Sequence, residues 1–510
     1  MTLDELYVKM VGLAAGDATP TRILKRGRDS IDVSAVRYDS ARIEAGAGII
    51  FACVRGERVD GHDFAGRALE SGAAALICDR VLSLDIPQIV TKNVRAAMGI
   101  AEAILRGNPA NKLKMIGLTG TNGKTTTSYV IRSIIRSAGI RAGMLGTVVY
   151  DCGGVEMEAA RTTPEGPDIQ DMLAEMTSAG VEYCIMEASS HGLEQGRLAG
   201  CSFDSVGFSN LTPEHLEFHR DIEGYFKAKR RLFTDFTADN WVGAASADDR
   251  YGRRLLTEFK RLRPFTISAV MAQEFTGAYT ASIESADMMG LFLKVSFPGG
   301  ETTTVSAPLL GNYNASNIIE AIAITDSIGI DRDSIIQGVS NCPQVPGRLE
   351  RYAFENGVNV FVDYAHSSDG MEKILSLLSS LKEKNLMVLW GAGGDRAPLK
   401  RPVVGALMAR YADYIVVSTD NPRSERPDAI AEQVEAGIIS SGTSVEYKVI
   451  LDRGEAIRHI LDRAACGDIV VVAGKGPERY IDYGTHKVQF SDNDTILEWA
   501  RERGLRVADS

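Results

Sequence analysis

The run Thr119-Gly120-Thr121-Asn122-Gly123-Lys124-Thr125-Thr126 couples a glycine-rich turn to a lysine and to hydroxyls, the groups that a nucleoside triphosphate requires. Residues 112–118 (KLKMIGL) ahead of it read as a short apolar strand, and residues 127–138 (TSYVIRSIIRSA) behind it carry apolar side chains at helical spacing. The glycines therefore fall in a strand-to-helix turn, whose free backbone N–H groups can hold phosphate oxygens. In this reading residues Gly120 to Gly123 and Thr126 shape the cradle, Lys124 reaches the β- and γ-phosphates of ATP, and Thr125 ligates Mg²⁺. The GxxxxGK form would want glycine at 118, where this chain has Leu118 between Gly117 and Gly120, and that departure narrows the choice of family.

Other strand ends collect polar residues that packing alone does not require. Glu187 follows an apolar CIM and is succeeded by Ser189-Ser190-His191-Gly192. A carboxylate at the end of a neighbouring strand is where a second Mg²⁺ ligand belongs in an ATPase sheet, the competing reading being a helix cap. His215 and His219 stand four apart in NLTPEHLEFH and could face one way, for a metal or phosphate role, although Pro213 makes this a loop or a helix start. Further on, Lys227, Lys229, Arg230 and Arg231 crowd together and read, by themselves, as a solvated basic face.

The elements that must position these residues alternate along all 510 residues, a length that suggests about three domains. A first block, 1–109, has short strands at 48–54, 73–78 and 88–90 and closes at the breaker Arg106-Gly107-Asn108-Pro109. A second, 110–343, carries the phosphate loop and strands at 182–186 and 201–208. A third, 344–510, begins at the hinge Val345-Pro346-Gly347-Arg348. It alternates strands at 358–362, 386–389, 414–417 and 469–472 with helices at 371–381, 429–436 and 454–464. Such alternation predicts α/β domains with mainly parallel sheets and ligand sites at strand C-termini. A net charge of −11 argues against a general nucleic-acid or bilayer-surface binder. Seven scattered cysteines, none in CxxC spacing, indicate neither a disulfide framework nor a zinc site and fit a reducing cytoplasm. The opening MTLDELYVKMVGLAAG lacks the basic start and unbroken apolar core of a secretory signal, and no run approaches 18 apolar residues, so a soluble, unexported protein is expected.

Taken in order, TGTNGKTT, ARTTPEGPD (160–168), MEASSHGLEQGR (186–197), NLTPEHLEFH (210–219), YFKAKRRLF (225–233), GNYNASN (311–317), VPGRLE (345–350), DYAHSSD (363–369), GAGGDR (391–396), KRP (400–402), DNPR (420–423) and GKGPE (474–478) resemble the Mur ligase family, and within it the MurE type. The resemblance spans nearly the whole chain. It implies a small α/β UDP-binding domain, a central P-loop ATPase domain and a C-terminal Rossmann-like domain. It also implies a cytoplasmic monomer that adds meso-diaminopimelate to UDP-N-acetylmuramoyl-L-alanyl-D-glutamate in peptidoglycan synthesis, with ATP as co-substrate and Mg²⁺ as cofactor. Thr125 and Glu187 would hold a first Mg²⁺. His215 and Lys229, the latter carbamylated by CO₂ into an anionic ligand, would hold a second. Asn314 and Asn317 would meet the adenine, and Arg348, Asp363 and His366 would bring the third domain onto the nucleotide.

For the acceptor, the resemblance assigns Thr162, Thr163, Ser189, Gln195 and Arg197 to the muramoyl-dipeptide and its pyrophosphate. It assigns Asp39-Ser40 with the loop 56–61 to uridine, although the family's DSR reads here Asp39-Ser40-Ala41, followed by Arg42. Arg396, Asp420, Asn421, Pro422, Arg423, Gly474 and Glu478 match the amino-acid pocket. Arg423 would grip the distal carboxylate of meso-diaminopimelate in two-pronged fashion, and Glu478 its ammonium. Two departures stand out: Pro477 where histidine is usual, and Ser367-Ser368 in place of Thr-Pro. The implied chemistry is phosphorylation of the acceptor γ-carboxylate to an acyl phosphate, followed by attack of an amine deprotonated by a base for which His366 and Glu478 are both candidates. A lysine- or ornithine-adding ligase, a folylpolyglutamate synthetase-like ligase and a non-catalytic nucleotide-binding scaffold are the competing readings.

Overall fold

The computed structural model describes residues 1–14, 16–24, 31–56, 59–395 and 398–508. These form two compact units, one of 1–282, 294–305 and 315–342, the other of 283–293, 306–314 and 343–510. The first block read from the sequence and most of the second share the first unit, and each contributes its own sheet.

The sheet of the first block has five strands in the order Arg22–Leu24, Gln88–Val90, Ala75–Cys78, Ile49–Ala52, Ala35–Arg37. Only the edge pair Arg22–Leu24 with Gln88–Val90 is antiparallel. Separate apolar cores, one around Ile50, Ile77 and Ile89 and the other around Phe51, Leu76 and Cys78, cover its two faces. Strands buried on both faces cannot alternate apolar with polar, which is why they read as continuous apolar runs.

In the central sheet, strand Lys114–Thr119 lies between Tyr183–Glu187 and Phe203–Phe208, with Ala142–Leu145 beyond the former and Thr237–Ser246 beyond the latter, all parallel. The register aligns Leu118 with Glu187 and Thr119 with Phe208. The chain therefore leaves all these strands on one edge, and the strand at the centre is flanked by strands that come later in sequence on both sides. In open α/β sheets that reversal point is where ligands bind.

The second unit holds a six-stranded sheet ordered Glu350–Ala353, Asn359–Asp363, Ile469–Ala473, Leu386–Trp390, Tyr414–Val417, Glu446–Val449, parallel but for its first pair. Helices Ser368–Leu381, Lys400–Tyr411 and Pro427–Ser440 pack on one face, and Arg453–Arg463 and Asp492–Glu502 on the other. This is the doubly covered arrangement expected of the third block. Ser367 caps the first of these helices by accepting the Gly370 N–H at 3.1 Å, and Ser368 occupies its first turn. Serine caps at least as well as threonine by this bond, so the Ser367-Ser368 departure keeps the helix start.

Candidate active site

Strand Lys114–Thr119 runs into the phosphate loop, and helix Lys124–Ser137 starts immediately behind it with Gly123 at its N-cap and no side chain capping it. The first-turn amides are thus left to an outside acceptor, the condition for anion binding at a helix N-terminus. Gly120 and Gly123 both take positive φ, and a β-carbon would stand 2.0 Å from Ser209 Oγ at the first and 2.3 Å from Asn317 Oδ1 at the second. The loop is pinned from the adjoining strand end: Asn122 N donates to Asn210 Oδ1 (3.0 Å), and Ser209 Oγ to the Asn122 carbonyl (2.6 Å). Thr121 and Thr126 are buried beside it. Lys124 Nζ folds back onto the carbonyls of Gly120 (2.8 Å) and Thr121 (3.0 Å).

Glu187 ends its strand buried, so the helix-cap reading is set aside. Its Oε2 accepts from Thr125 Oγ1 (3.0 Å) and Thr147 Oγ1 (2.9 Å), and its Oε1 from Thr147 N (2.9 Å). Hydroxyl and carboxylate oxygens side by side are the hard donors that Mg²⁺ prefers. Among the described residues no three His, Cys, Asp or Glu side chains are grouped to hold a metal by themselves. Any ion at Glu187 would therefore depend on oxygens from the substrate. Thr147 had no place in the sequence reading, although it lies just beyond the end of strand Ala142–Leu145.

Lys229 corrects the reading of a solvated basic face. Helix Ile222–Asp235 buries Tyr225, Phe226, Ala228, Lys229, Leu232 and Phe233, while Arg230 and Arg231 pair outside with Glu258 and Asp235. Lys229 Nζ donates to the Gly120 carbonyl at 2.7 Å, the same oxygen that Lys124 engages. Burial, with Lys124 nearby, pushes the Lys229 amine well below its usual range. His215 and His219 do share a direction: helix Leu216–His219 starts right after His215, and both rings edge onto His191, with centroids 5.0 and 5.5 Å away. His219 Nε2 is buried without a hydrogen-bond partner, and burial beside His191 and Lys229 lowers its pKa to about 4.

The residues expected to hold the acceptor line the same strand ends. Thr163 Oγ1 donates to the Glu187 carbonyl (2.8 Å) and accepts from Ser189 N (3.0 Å). Thr162 Oγ1 lies 3.1 Å from Thr147 Oγ1, and Arg197 bonds the Thr163 carbonyl (2.9 Å) and Gln195 Oε1 (2.7 Å). Ser40 begins a short 3-10 turn capped by Asp39, and Arg42 is taken up by an ion pair with Asp168 (2.9 Å). The loop 56–61 lies partly outside the described residues. Asn317 sits against Gly123, within the first unit.

In the second unit, Asn314 Nδ2 donates to the Leu310 carbonyl (2.7 Å). Buried Asp363 accepts from Leu349 N and Ala365 N, each at 2.7 Å, and its desolvation raises its pKa. Arg348 lies over the Tyr364 ring at 5.2 Å, and His366 Nδ1 is 3.0 Å from the Tyr364 carbonyl. Pro477 packs on the hinge: a β-carbon on Gly347 would come within 2.4 Å of its Cδ.

The expected amino-acid pocket is built around a residue that sequence reasoning passed over. Lys475, fully buried, reaches Asp420 (3.1 Å), Asn421 Oδ1 (3.2 Å), Glu478 (3.4 Å) and the Tyr480 carbonyl (2.8 Å). Glu478 also accepts from Asn421 Nδ2 (2.7 Å) and Tyr364 OH (3.2 Å). Arg423 takes φ 52, donates Nη1 to the Gly394 carbonyl (2.5 Å), and has Nε 3.9 Å from Asp482. Gly394 lies so close to Pro422 that a β-carbon there would be 1.9 Å from the Pro422 carbonyl. Gly474, at φ 105, turns the chain away from its strand toward Lys475. Arg396 lies outside the described residues. A buried Arg453–Asp492 pair (2.6 Å) ties this region together, Arg453 donating also to the carbonyls of Thr419 and Ala473.

Comparison with known proteins agrees with this geometry. The sequence matches the Mur ligase family catalytic domain over residues 32–110, the Mur ligase middle domain over 118–325, and the Mur ligase glutamate ligase domain over 347–476. It is 36% identical over 487 residues to the UDP-N-acetylmuramoyl-L-alanyl-D-glutamate--2,6-diaminopimelate ligase of Alkaliphilus metalliredigens, covering 95% of this chain and 96% of the relative. To the protein of the same name from Streptomyces avermitilis it is 37% identical over 491 residues, covering 95% and 94%. A solved structure of a ligase of that name matches with a TM-score of 0.65 at 28% identity, over 92% of this chain and 95% of that one. The MurF ligase of Thermotoga maritima, solved with ADP, shares the fold at a TM-score of 0.61 and 17% identity, over 92% and 97%. With its motifs at the ends of the expected strands and relatives this similar along nearly its whole length, the chain belongs to the Mur ligase family.

Proposed function

We propose that this chain is the ATP-dependent ligase that joins meso-diaminopimelate to UDP-N-acetylmuramoyl-L-alanyl-D-glutamate, a cytoplasmic step of peptidoglycan precursor synthesis. The observation that carries the reading is the cluster at the central strand ends: an uncapped helix N-terminus, Lys124 on the loop, and Glu187 held against Thr125. The names of the relatives supply the substrates. No helix among the described residues is long and apolar enough to cross a membrane, which suits small-molecule substrates in solution.

A free carboxylate is a poor electrophile, so ATP must activate it. The acceptor γ-carboxylate attacks the γ-phosphorus, the bond to the β-phosphate oxygen breaks, and an acyl phosphate and ADP result. Lys124 moves from the loop carbonyls to the phosphates and offsets the charge that develops. The amine of diaminopimelate, deprotonated by a base for which His366 and Glu478 are the candidates, then attacks the acyl carbon and expels phosphate. Mg²⁺ bound by Thr125 and Glu187 would neutralise phosphate charge. Lys229, buried and short of a counter-ion, is suited to exist as a neutral amine. Such an amine adds to CO₂ and loses a proton to become a carbamate, an anion near His219 in place of a cation. In the second unit, Asp420, Asn421, Arg423 and Glu478 form the amino-acid pocket in this reading, with Lys475 pairing with two of its carboxylates. ADP release tests the proposal: it should require both acceptor and meso-diaminopimelate, and Lys124→Ala should abolish it.

A further inference from the structure

Acidic side chains recur at every third residue from the start of helix Gly166–Ser178, and each meets cations from elsewhere. Asp171 pairs with Arg106 (2.7 Å) and Arg37 (3.3 Å), and Asp168 with Arg42 (2.9 Å) and the Tyr38 hydroxyl (2.5 Å). Glu165, the N-cap, differs from both. Its side chain is only 4% exposed, it caps nothing, and three guanidiniums surround it: Arg161 Nη1 at 2.7 Å, Arg95 Nε at 3.0 Å and Arg197 Nε at 3.3 Å.

The three arginines come from separate segments. Arg95 lies in the first turn of helix Val94–Leu105, Arg161 directly precedes Thr162-Thr163, and Arg197 follows helix Ser190–Glu194. Arg197 in turn fixes Thr163 and Gln195. Three cations around one carboxylate leave an excess of two positive charges, and guanidiniums so close repel one another unless an anion sits among them. Arg161 is half exposed, so part of the cluster faces solvent.

We propose that Glu165 is a positioning residue that gathers Arg95, Arg161 and Arg197 into one anion-binding face for the acceptor, so that Arg95 and Arg161 join Arg197 in binding it. This rests on the acceptor reading given above. The anion is a diphosphate or a carboxylate of that molecule, groups that share the bidentate chemistry of guanidinium recognition.

Steady-state kinetics on the full chain test the proposal, because positioning and plain electrostatics differ in sign. Glu165→Gln adds one positive charge, so an electrostatic role alone would tighten an anionic acceptor. Loss of positioning loosens it, raising the acceptor KM about 10- to 100-fold, the equivalent of one or two charge-assisted hydrogen bonds. In that case kcat and the KM values for ATP and meso-diaminopimelate stay near wild type, and Glu165→Asp recovers part of the loss. Arg161→Met, at a half-exposed position, should raise the acceptor KM without lowering Tm, and it carries the test if Glu165→Gln fails to fold. Inhibition by UDP-N-acetylmuramate separates the two anions: it weakens in Glu165→Gln if the face holds the diphosphate and is unchanged if it holds a carboxylate of the dipeptide. An acceptor KM that is unchanged or lower in both Glu165→Gln and Arg161→Met overturns the proposal, whereas wild-type protein that never turns over the acceptor overturns the functional reading instead.

Discussion

Arg423→Ala is expected to narrow the preference for meso-diaminopimelate over L-lysine, because the two amino acids differ by the distal carboxylate that this guanidinium would grip. A charge-assisted hydrogen-bonded contact contributes about 1.5–3 kcal/mol. Two features of the structure place Arg423 in the lower part of that range: Nη1 is already committed to the Gly394 carbonyl, and Asp482 lies 3.9 Å from Nε and offsets part of the charge. The side chain is also about a quarter exposed (24%), which screens the pair. About 1.5–2 kcal/mol corresponds to roughly 12- to 30-fold in kcat/KM. The remaining restraints on the loop, Arg423 N to the Asp482 carbonyl (2.9 Å) and the Arg401–Glu425 pair (2.7 Å), do not involve the deleted atoms, so the pocket should persist. Competition between the two amino acids, followed by product mass, measures the ratio. An unchanged ratio in Arg423→Ala, or wild-type protein that uses lysine as readily, would refute the reasoning.

Lys229→Ala should lose nearly all activity and regain part of it with short-chain carboxylic acids, which restore an anion where the carbamate would stand; a variant as active as wild type without additives speaks against the modification. Arg453→Met leaves Asp492 buried and unpaired and should cost about 3–5 kcal/mol of stability, read by urea unfolding, with Arg453→Met/Asp492→Leu recovering much of it. Glu320, fully buried under the phosphate loop near Thr127, has its pKa raised by desolvation from 4.5 to about 8. Between those values the unfolded chain has lost a proton that the folded protein keeps, so stability falls as pH rises from about 4.5 to about 8. Glu320→Gln should flatten that slope in thermal melts, and a slope identical to wild type would count against the assignment.

The parallel strands were legible because burial on both faces leaves uninterrupted apolar runs: strands read at 414–417 and 88–90 coincide with Tyr414–Val417 and Gln88–Val90. Strand ends were legible too, which is why the phosphate loop and Glu187 meet as expected, with Asn210 pinning the loop from a further strand end. Lys229 was misread from its charged neighbours, since a crowd of basic residues hides which one turns inward. The helical period held the correction, because Lys229 lies four residues after Tyr225 and four before Phe233, both buried on its helix. Internal counter-ions such as Lys475, Glu165 and Arg453 were not legible as such. Their partners lie up to 70 residues away or in other elements, and only the folded chain brings the charges together.

The most direct test is ADP release by the purified protein with ATP, Mg²⁺, UDP-N-acetylmuramoyl-L-alanyl-D-glutamate and meso-diaminopimelate, each component omitted in turn. Release is expected only in the complete mixture, with a product heavier than the acceptor by one diaminopimelate less water. Steady ADP release without the acceptor, or none in the complete mixture, would contradict it.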